Sequence, residues 1–364
     1  MRNRNALAFV FALWAATTLA ADDTLQLKKG DTLAGEIVNL TFRNIDIEVE
    51  VGGARVRQQV DARTIADLVI DPNRKTFDYT TADSSMNSGD FDAAIDRFEK
   101  VRKDPRATEL LKQTAAINIV RCQWTKGNLS GVLAAAQSLR AQKADSFYLR
   151  DSYVIEIQAF LEMKNLNWAR QAISAFQDKG NADGMTEWSK TAELMGAGLM
   201  ELQGKHREAL PLYTKHARDP EVAEDATLGE FRCLTVLQNW PQLSSRSEAV
   251  IQDAKTKKTV SPRVLTAAFN GRGEVLLNGG KNKEALFDFM QGTMSFEKVG
   301  PSREHAQSLG RGALACARLA AAEKDKLKKD LYKSRAQELL GELDKTYPKS
   351  PLRDEASKAI QDMK

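Results

Sequence analysis

The chain has 364 residues, of which 28% are charged and 42% are hydrophobic, and its formal net charge is +4. Together with a mean hydropathy of -0.43, this composition excludes disordered, collagen-like and multi-span membrane proteins. The nearly balanced charge argues against non-specific nucleic-acid binding, which requires clustered Lys and Arg. The three His and three Cys lie far apart in the sequence. We therefore expect no metal site.

Residues 1–20 predict a signal peptide. Arg2 and Arg4 precede an apolar run over residues 6–16, and small residues follow it up to Ala20. This order is typical of secretory signals, with cleavage expected after Ala20, whereas a bilayer span needs about 20 apolar residues. A retained membrane anchor is the alternative. We expect an exported, periplasmic or envelope-associated protein without an integral membrane span after cleavage.

Residues 21–72 predict a small antiparallel β-domain. The odd-numbered apolar residues from Ile45 to Val51 would share one strand face, because strand side chains alternate with period two. Gly52-Gly53 follows as a hairpin signal. We expect four or five short strands. A domain of this size is marginally stable alone, so it should pack on the segment that follows it.

From residue 75 onward the apolar period becomes helical, and a motif repeats. The segments 89–100 (GDFDAAIDRFEK), 204–215 (GKHREALPLYTK) and 280–290 (GKNKEALFDFM) share a Gly, a small residue five positions later and an aromatic residue four positions after that. The small residues are Ala94, Ala209 and Ala285, and the position recurs more loosely at Val132, Ala172, Leu243 and Ala336. The pattern predicts pairs of antiparallel helices that bury a continuous core only by stacking.

These residues resemble the tetratricopeptide repeat family, whose second helix carries this pattern before a closing Asp-Pro, here Asp104-Pro105 and Asp219-Pro220. The resemblance covers roughly residues 75–350. It implies a mainly α fold in which an α-α superhelical solenoid over residues 75–364 follows the small β-domain. A non-repetitive helical bundle is the alternative.

Two shorter resemblances accompany it. Residues 347–351 and 354–356 are similar to inter-repeat junctions in bacterial envelope proteins of the same family. The strand segment looks like small SH3-like or Sm-like barrels. The residues that carry this second likeness are Leu27, Gly30, Asp31, Leu33, Gly35 and Ile37.

No arrangement of residues in the sequence points to catalysis. His206, His216 and His305 lie in helical repeat sequence and are expected to pack there. The Gly-Gly-Lys at residues 279–281 lacks the other residues of a phosphate loop. We expect no enzymatic activity and no cofactor. Cys122, Cys233 and Cys316 are expected to be single buried thiols, and one disulfide among them is the alternative.

In the tetratricopeptide repeat family, the first helices of the pairs line a concave groove that receives an extended peptide or a partner protein. The resemblance therefore implies candidate groove residues. They are Tyr79, Asp83, Met86, Asn87, Arg121, Trp124, Leu194, Gly198, Glu201, Asn270, Glu274 and Leu277. Alternatively, the large apolar members of this set pack against neighbouring helices. The set contains no cluster of Lys and Arg. The basic stretch Lys324–Lys333 is interpreted as a solvated helix rather than a binding patch.

The sequence thus favours a non-enzymatic periplasmic or envelope scaffold that binds a partner protein or an extended peptide. One alternative is a glycan- or peptidoglycan-associated binding module that uses the β-domain. That function would need exposed aromatic side chains, and Phe42 is the one aromatic residue in this segment. The other alternative is an auxiliary subunit of an envelope enzyme complex. Homo-oligomerisation stays open.

Overall fold

The structure, a computed structural model, describes residues 22–257, 260–295 and 300–362. The predicted signal peptide over residues 1–20 lies outside the described residues. The chain divides into two compact units, residues 1–172 and residues 173–364, called the first and second units below. Among the described helices, none combines the length and the apolarity that a bilayer span requires.

A five-stranded antiparallel sheet opens the first unit, as the alternating pattern predicts. Its strands are β1 (Asp23–Leu27), β2 (Thr32–Leu40), β3 (Asn44–Val51), β4 (Ala54–Asp61) and β5 (Ile65–Val69). They are arranged in the order β4-β3-β2-β1-β5, so β4 and β5 are the edges of the described sheet. Gly52 and Gly53 have positive φ values of 61° and 82° and form the hairpin turn between β3 and β4. This left-handed backbone favours glycine, which has no Cβ to clash.

Fifteen helices follow within the described residues. They are α1 (Phe77–Asn87), α2 (Phe91–Lys103), α3 (Glu109–Thr125), α4 (Leu129–Gln142), α5 (Leu149–Glu162), α6 (Leu166–Asp183), α7 (Thr186–Leu202), α8 (His206–His216), α9 (Ala223–Val236), α10 (Trp240–Lys257), α11 (Pro262–Asn278), α12 (Asn282–Thr293), α13 (Arg303–Ala322), α14 (Lys326–Thr346) and α15 (Leu352–Gln361). Helix α6 crosses the division between the two units. The predicted class, mainly α after a small antiparallel sheet, is confirmed.

The repeated motif marks the buried contacts within the helix pairs. Ala209 and Ala285 are fully buried at the starts of α8 and α12, and Tyr213 and Phe289 are buried one turn later. Residues four apart lie on the same helix face, so the small residue and the aromatic residue pack side by side against the first helix of the pair. In the second unit the first helices α7, α9, α11 and α13 also contact one another in succession. They thereby form one continuous face of this unit.

The turns within the pairs share one backbone conformation. The glycines at 89, 127, 204 and 280 have φ values between 72° and 84°. Lys164 and Gln238 occupy the corresponding turns of α5–α6 and α9–α10, with positive φ values of 54° and 52°. A side chain is disfavoured in this region by roughly 1–2 kcal/mol. The repeat geometry therefore persists where the glycine signal is lost.

The sheet and the first helices share one hydrophobic core. Leu25 and Ile45 of the sheet belong to the same buried cluster as Tyr79 of α1 and Phe98 of α2. The side-chain amide of Gln113 on α3 donates a hydrogen bond of 3.1 Å to the backbone carbonyl of a β2 residue. The expectation that the small sheet packs on the segment after it is confirmed.

The three cysteines are all free and buried in the described structure. This agrees with the expectation of single thiols and not with the alternative of a disulfide. Burial raises the pKa of each thiol above its ordinary value. The thiols are therefore held in their neutral form, in which cysteine packs as a small apolar residue.

Candidate functional site: a cavity on the first-helix face of the second unit

The predicted groove residues of α1 differ in how much surface they offer. Tyr79 is buried, and burial raises the pKa of its hydroxyl well above the ordinary value. Asp83 is half-buried and accepts a hydrogen bond of 2.9 Å from the Lys75 ammonium. Met86 packs partly against the core of the first unit, while Asn87 is exposed. Tyr79 therefore has a packing role, whether or not this face binds a partner.

The predicted residues of α3 keep accessible surface. Arg121 is exposed and donates a hydrogen bond of 3.1 Å to the side-chain oxygen of Asn118. The side chain of Trp124 is 36% exposed. An exposed Trp and an Arg one turn apart are residue types that often dominate binding energy at interfaces. Their role in binding stays a prediction.

In the second unit, the predicted groove residues separate into buried and charged groups. Leu194 and Leu277 are buried, as the packing interpretation expects. Asn270 is also buried, and its amide donates a hydrogen bond of 2.8 Å to the backbone carbonyl of Glu304. Glu201 and Glu274 instead form ion pairs with arginines on other helices. Of the predicted residues, Glu274 lines a cavity.

This cavity has a volume of about 270 Å³ and lies against α9, α11, α13 and the start of α15. Its apolar wall includes Leu228 and Phe231 from α9, Ala306 from α13 and Leu352 from α15. The cavity is large enough to accept one side chain of a bound segment against this apolar wall. The cavity is therefore a site on the face along which the first helices of this unit contact one another.

Three arginines, Arg232, Arg303 and Arg311, line the same cavity together with the glutamates Glu274 and Glu304. Arg232 is fixed by the carboxylate of Glu201 on α7, with Nε–Oε2 and Nη2–Oε1 distances of 3.0 and 2.8 Å. Planar pairing of this kind is the strong form of a charge-assisted hydrogen bond.

The Glu201–Arg232 pair is connected to the interior of the repeat. The hydroxyl of Tyr213, the buried aromatic residue of α8, donates a hydrogen bond to Glu201. Burial raises the pKa of Glu201, but the hydrogen bonds and charge of Arg232 outweigh that effect and lower it overall. Glu201 is thus held as a carboxylate, and it holds the Arg232 side chain at the cavity.

Arg311 is held by two carboxylates. Its Nε donates to Glu274 at 2.7 Å, and its Nη1 donates to Glu355 of α15 at 2.7 Å. The side-chain amide of Gln307 donates a further hydrogen bond of 3.1 Å to Glu274. These contacts join α11, α13 and α15 at the cavity and neutralise the charge of Arg311.

Arg303 differs, since its guanidinium makes no hydrogen bond or ion pair with any described residue. The neighbouring Glu304 is already paired with Arg263 at 3.0 Å. Burial and the nearby positive charge of Arg232 lower the pKa of Arg303, and the carboxylates of Glu201 and Glu304 offset part of this effect. An arginine side chain stays protonated at neutral pH. Within the described residues, the cavity therefore combines an apolar wall with an exposed arginine that forms no direct ion pair.

The cavity offers charged donors and an apolar wall to a bound group. Its lining residues within the described structure include no His, Cys, Lys or Tyr. Both lining glutamates are engaged by arginines, so neither is available as a general base. An incoming carboxylate would gain charge-assisted hydrogen bonds from Arg303, and an adjacent apolar group would gain from burial.

One cluster of possible metal ligands lies near the cavity. Ligand atoms of Glu201, His206 and Cys233 all lie within 4.8 Å of one another. Both oxygens of Glu201 are already bound by Arg232, whose positive charge also opposes a cation. Burial and then the charge of Glu201 raise the pKa of Cys233 to about 12, which opposes the thiolate form that metals bind. This donor set fits a packed interior better than a cation site.

Most of this cavity is not visible in the sequence, because a Gly turn marks the groove positions of only some repeats. Apart from Asn87, the predicted residues lie ten, six or three positions before the turn glycine, as do Asn270, Glu274 and Leu277 before Gly280. Gln238 has the same backbone conformation. Counting back from Gln238 gives Leu228, Arg232 and Thr235, and all three line the cavity.

Solved structures with repeated helix pairs are similar to the chain. A tetratricopeptide repeat protein from Parabacteroides merdae ATCC 43184 superposes with a TM-score of 0.53 at 15% identity, over 78% of this chain and 97% of that chain. The chain has a tetratricopeptide repeat fold. The C-terminal part of a TPR repeat-containing protein from Cytophaga hutchinsonii gives a TM-score of 0.44 at 12% identity, over 79% of this chain and 99% of that chain. No family model matches the sequence of this chain, and no curated protein matches it either.

Proposed function

We propose that the chain is an exported, non-enzymatic scaffold that binds an extended segment of a partner protein on the first-helix face of its second unit. The succession of contacts from α7 to α13 supports such a face. The apolar run after Arg2 and Arg4 supports export to the periplasm or the envelope. Sequencing the N-terminus of the protein recovered from its own cells would test the cleavage after Ala20.

The observation that carries this proposal is Arg303, which lies beside the apolar wall of the cavity and forms no ion pair with a described residue. The Arg303 side chain is exposed at the cavity, so its guanidinium can donate charge-assisted hydrogen bonds to a carboxylate from outside. The partner segment should therefore present a carboxylate next to an apolar side chain. Arg232 and Arg311, which are fixed by their own glutamates, would add further donors at the rim.

The sequence leaves two other functions open. A glycan-binding module would stack sugars on an exposed aromatic residue of the sheet, but Phe42 is 8% exposed. An auxiliary subunit of an enzyme complex is a special case of the proposed scaffold, in which the bound partner is itself the enzyme. The cavity favours peptide recognition over glycan recognition because its charge and its apolar wall suit an acidic segment.

The test is a selection of random displayed peptides on the mature chain, followed by affinity measurements on the enriched peptides. We expect enrichment of Asp or Glu next to a large apolar residue. Arg303→Gln should weaken binding about tenfold or more, because a hydrogen bond to a charged group contributes roughly 1.5–3 kcal/mol. Arg207→Gln is the matched control, since Arg207 is exposed on α8 and does not line the cavity.

Enrichment without acidic residues would contradict the proposal, and so would equal losses of affinity in the two variants. Substituting Thr235 by a photo-crosslinking residue gives a second readout, because Thr235 lines the cavity. Bound peptides should crosslink from this position. A crosslink that forms only from positions outside the cavity would place the binding site elsewhere.

A further inference from the structure

Helix α14 exposes two leucines on the face opposite to its buried face. Leu327 and Leu331 are 81% and 68% exposed, whereas Ala336, Leu339 and Leu343 of the same helix are buried in the core of the second unit. With 3.6 residues per turn, Leu327 and Leu331 lie one turn apart on the same side. Their direction is about half a rotation away from that of Ala336. A solvated helix would carry polar residues at these outermost positions.

Charged residues flank the two leucines. Lys324, Lys326, Lys328 and Asp330 are exposed, whereas Lys329 and Lys333 are half-buried and lie toward the opposite side of the helix. None of these lysine ammonium groups forms an ion pair with a described residue, although many other charged side chains in this unit are paired. Residues 323–335 contain six basic and three acidic residues. The exposed surface at the start of α14 therefore carries more lysines than aspartates beside a pair of leucines, with a net positive charge.

We propose that the first three turns of α14 dock onto an anionic lipid surface. Helices that lie in the membrane interface combine lysines, which contact anionic headgroups, with leucines, which enter the boundary with the acyl chains. The unpaired lysines match this charge, and the outward leucines match the apolar boundary. Such contact is peripheral and reversible, because two leucines bury far less surface than a spanning helix. This inference does not depend on the cavity or on its ligand.

The alternative occupant of a basic surface is a nucleic acid, and the side chains here favour lipid over it. Nucleic-acid surfaces combine basic residues with aromatic or polar side chains that stack on bases or bind phosphates. The patch instead exposes two large apolar side chains, Leu327 and Leu331. They gain nothing from a phosphate backbone, whereas a lipid interface would bury them.

The test is co-sedimentation of the mature full-length chain with vesicles of phosphatidylcholine alone or with added phosphatidylglycerol. We expect binding to the anionic vesicles that weakens at high salt, because the charge attraction is screened. Leu327→Ser with Leu331→Ser should reduce binding about tenfold. Lys324→Gln with Lys328→Gln should reduce it by more than about tenfold, since each lysine near an anionic surface contributes about fivefold.

Matched controls come from exposed residues elsewhere in the second unit. Leu202→Ser removes a leucine of similar exposure, and Lys281→Gln with Lys283→Gln removes two exposed lysines. Neither control should change vesicle binding, and all variants should keep the wild-type circular dichroism and melting temperature. Absence of vesicle binding, equal binding to neutral vesicles or an effect of the lysine variants alone would overturn the proposal. If a DNA oligonucleotide competes with the anionic vesicles and the leucine variant still binds them as the wild type does, the surface would bind nucleic acid instead.

Discussion

The helix pairs α9–α10 and α11–α12 have the same backbone turn but different residues in it. Gly280 reaches a φ of 74° in the second of these pairs, where glycine meets no steric penalty, and Gln238 reaches 52° in the first. The next helix starts two residues later in both cases, at Trp240 and at Asn282. Helix packing therefore sets the turn, because it holds Gln238 in a conformation that its side chain disfavours.

The cores of the same two pairs distribute their volume differently. In α12 the small residue Ala285 is followed one turn later by the large Phe289, and both are fully buried. In α10 the large Leu243 occupies the first position and the small Ser247 the second, again fully buried. A core fills its space at a nearly constant density. The family pattern is thus one way to fill the space between two helices, and the exchanged order is another.

The largest test of this comparison is Phe289→Ala. The ring lies against the backbone of Gly273, where an added Cβ would come within 2.7 Å of it. Removing the ring should lower the free energy of unfolding by about 4 kcal/mol, because nothing nearby can fill the cavity. Phe287→Ala on the same helix is the control, since Phe287 is 62% exposed and should change the free energy little. Chemical denaturation of both variants measures the difference, and equal stability would contradict the assigned core position.

The next effect concerns Gly229 of α9, which lies against the ring of Tyr213. An added Cβ would overlap ring atoms, and the ring cannot move freely because Glu201 holds its hydroxyl. Gly229→Ala should therefore destabilise the chain by about 2–3 kcal/mol. Gly196→Ala is the matched control in α7, where nothing lies within 4 Å of the added atom. That change should be neutral or stabilising, because alanine favours helix, and a loss of stability there would weaken the steric explanation.

The smallest effect tests the turn itself. Gln238→Gly removes the strain of a positive φ but makes the unfolded chain more flexible, so we expect a net stabilisation of about 0.5–1 kcal/mol. This corresponds to a rise of roughly 1–4 °C in the melting temperature of a unit of this size. Gly280→Ala should lower the melting temperature. No atom lies within 4 Å of the added Cβ, so only the backbone strain of a positive φ acts. If both variants destabilise equally, the two turns are not equivalent.

The sequence predicted the fold from periodicity but could not reveal the cavity. The spacing of Ala285 and Phe289 identifies which helix faces are buried, and that information is local. Arg232 and Arg303 come from different helices and are separated by about seventy residues. Their convergence depends on how far α9 and α13 lie apart, which no pattern within one helix encodes. The turn at Gln238 was also hidden, because a glutamine in the sequence does not indicate a positive φ, whereas a glycine does.

The core shared by the sheet and the first helices determines which truncated fragments of the protein can stay folded. A helical repeat array needs its ends covered, because each pair buries its apolar surface only against a neighbour. In the first unit the sheet supplies that cover, with β2 contacting α3 and the strands joining the buried cluster of Tyr79. The sequence pattern changes near residue 75, but the segments on either side of this residue share one core and stabilise each other. A fragment begun there would expose the apolar side of its first repeats, whereas one that retains the strands would keep them covered.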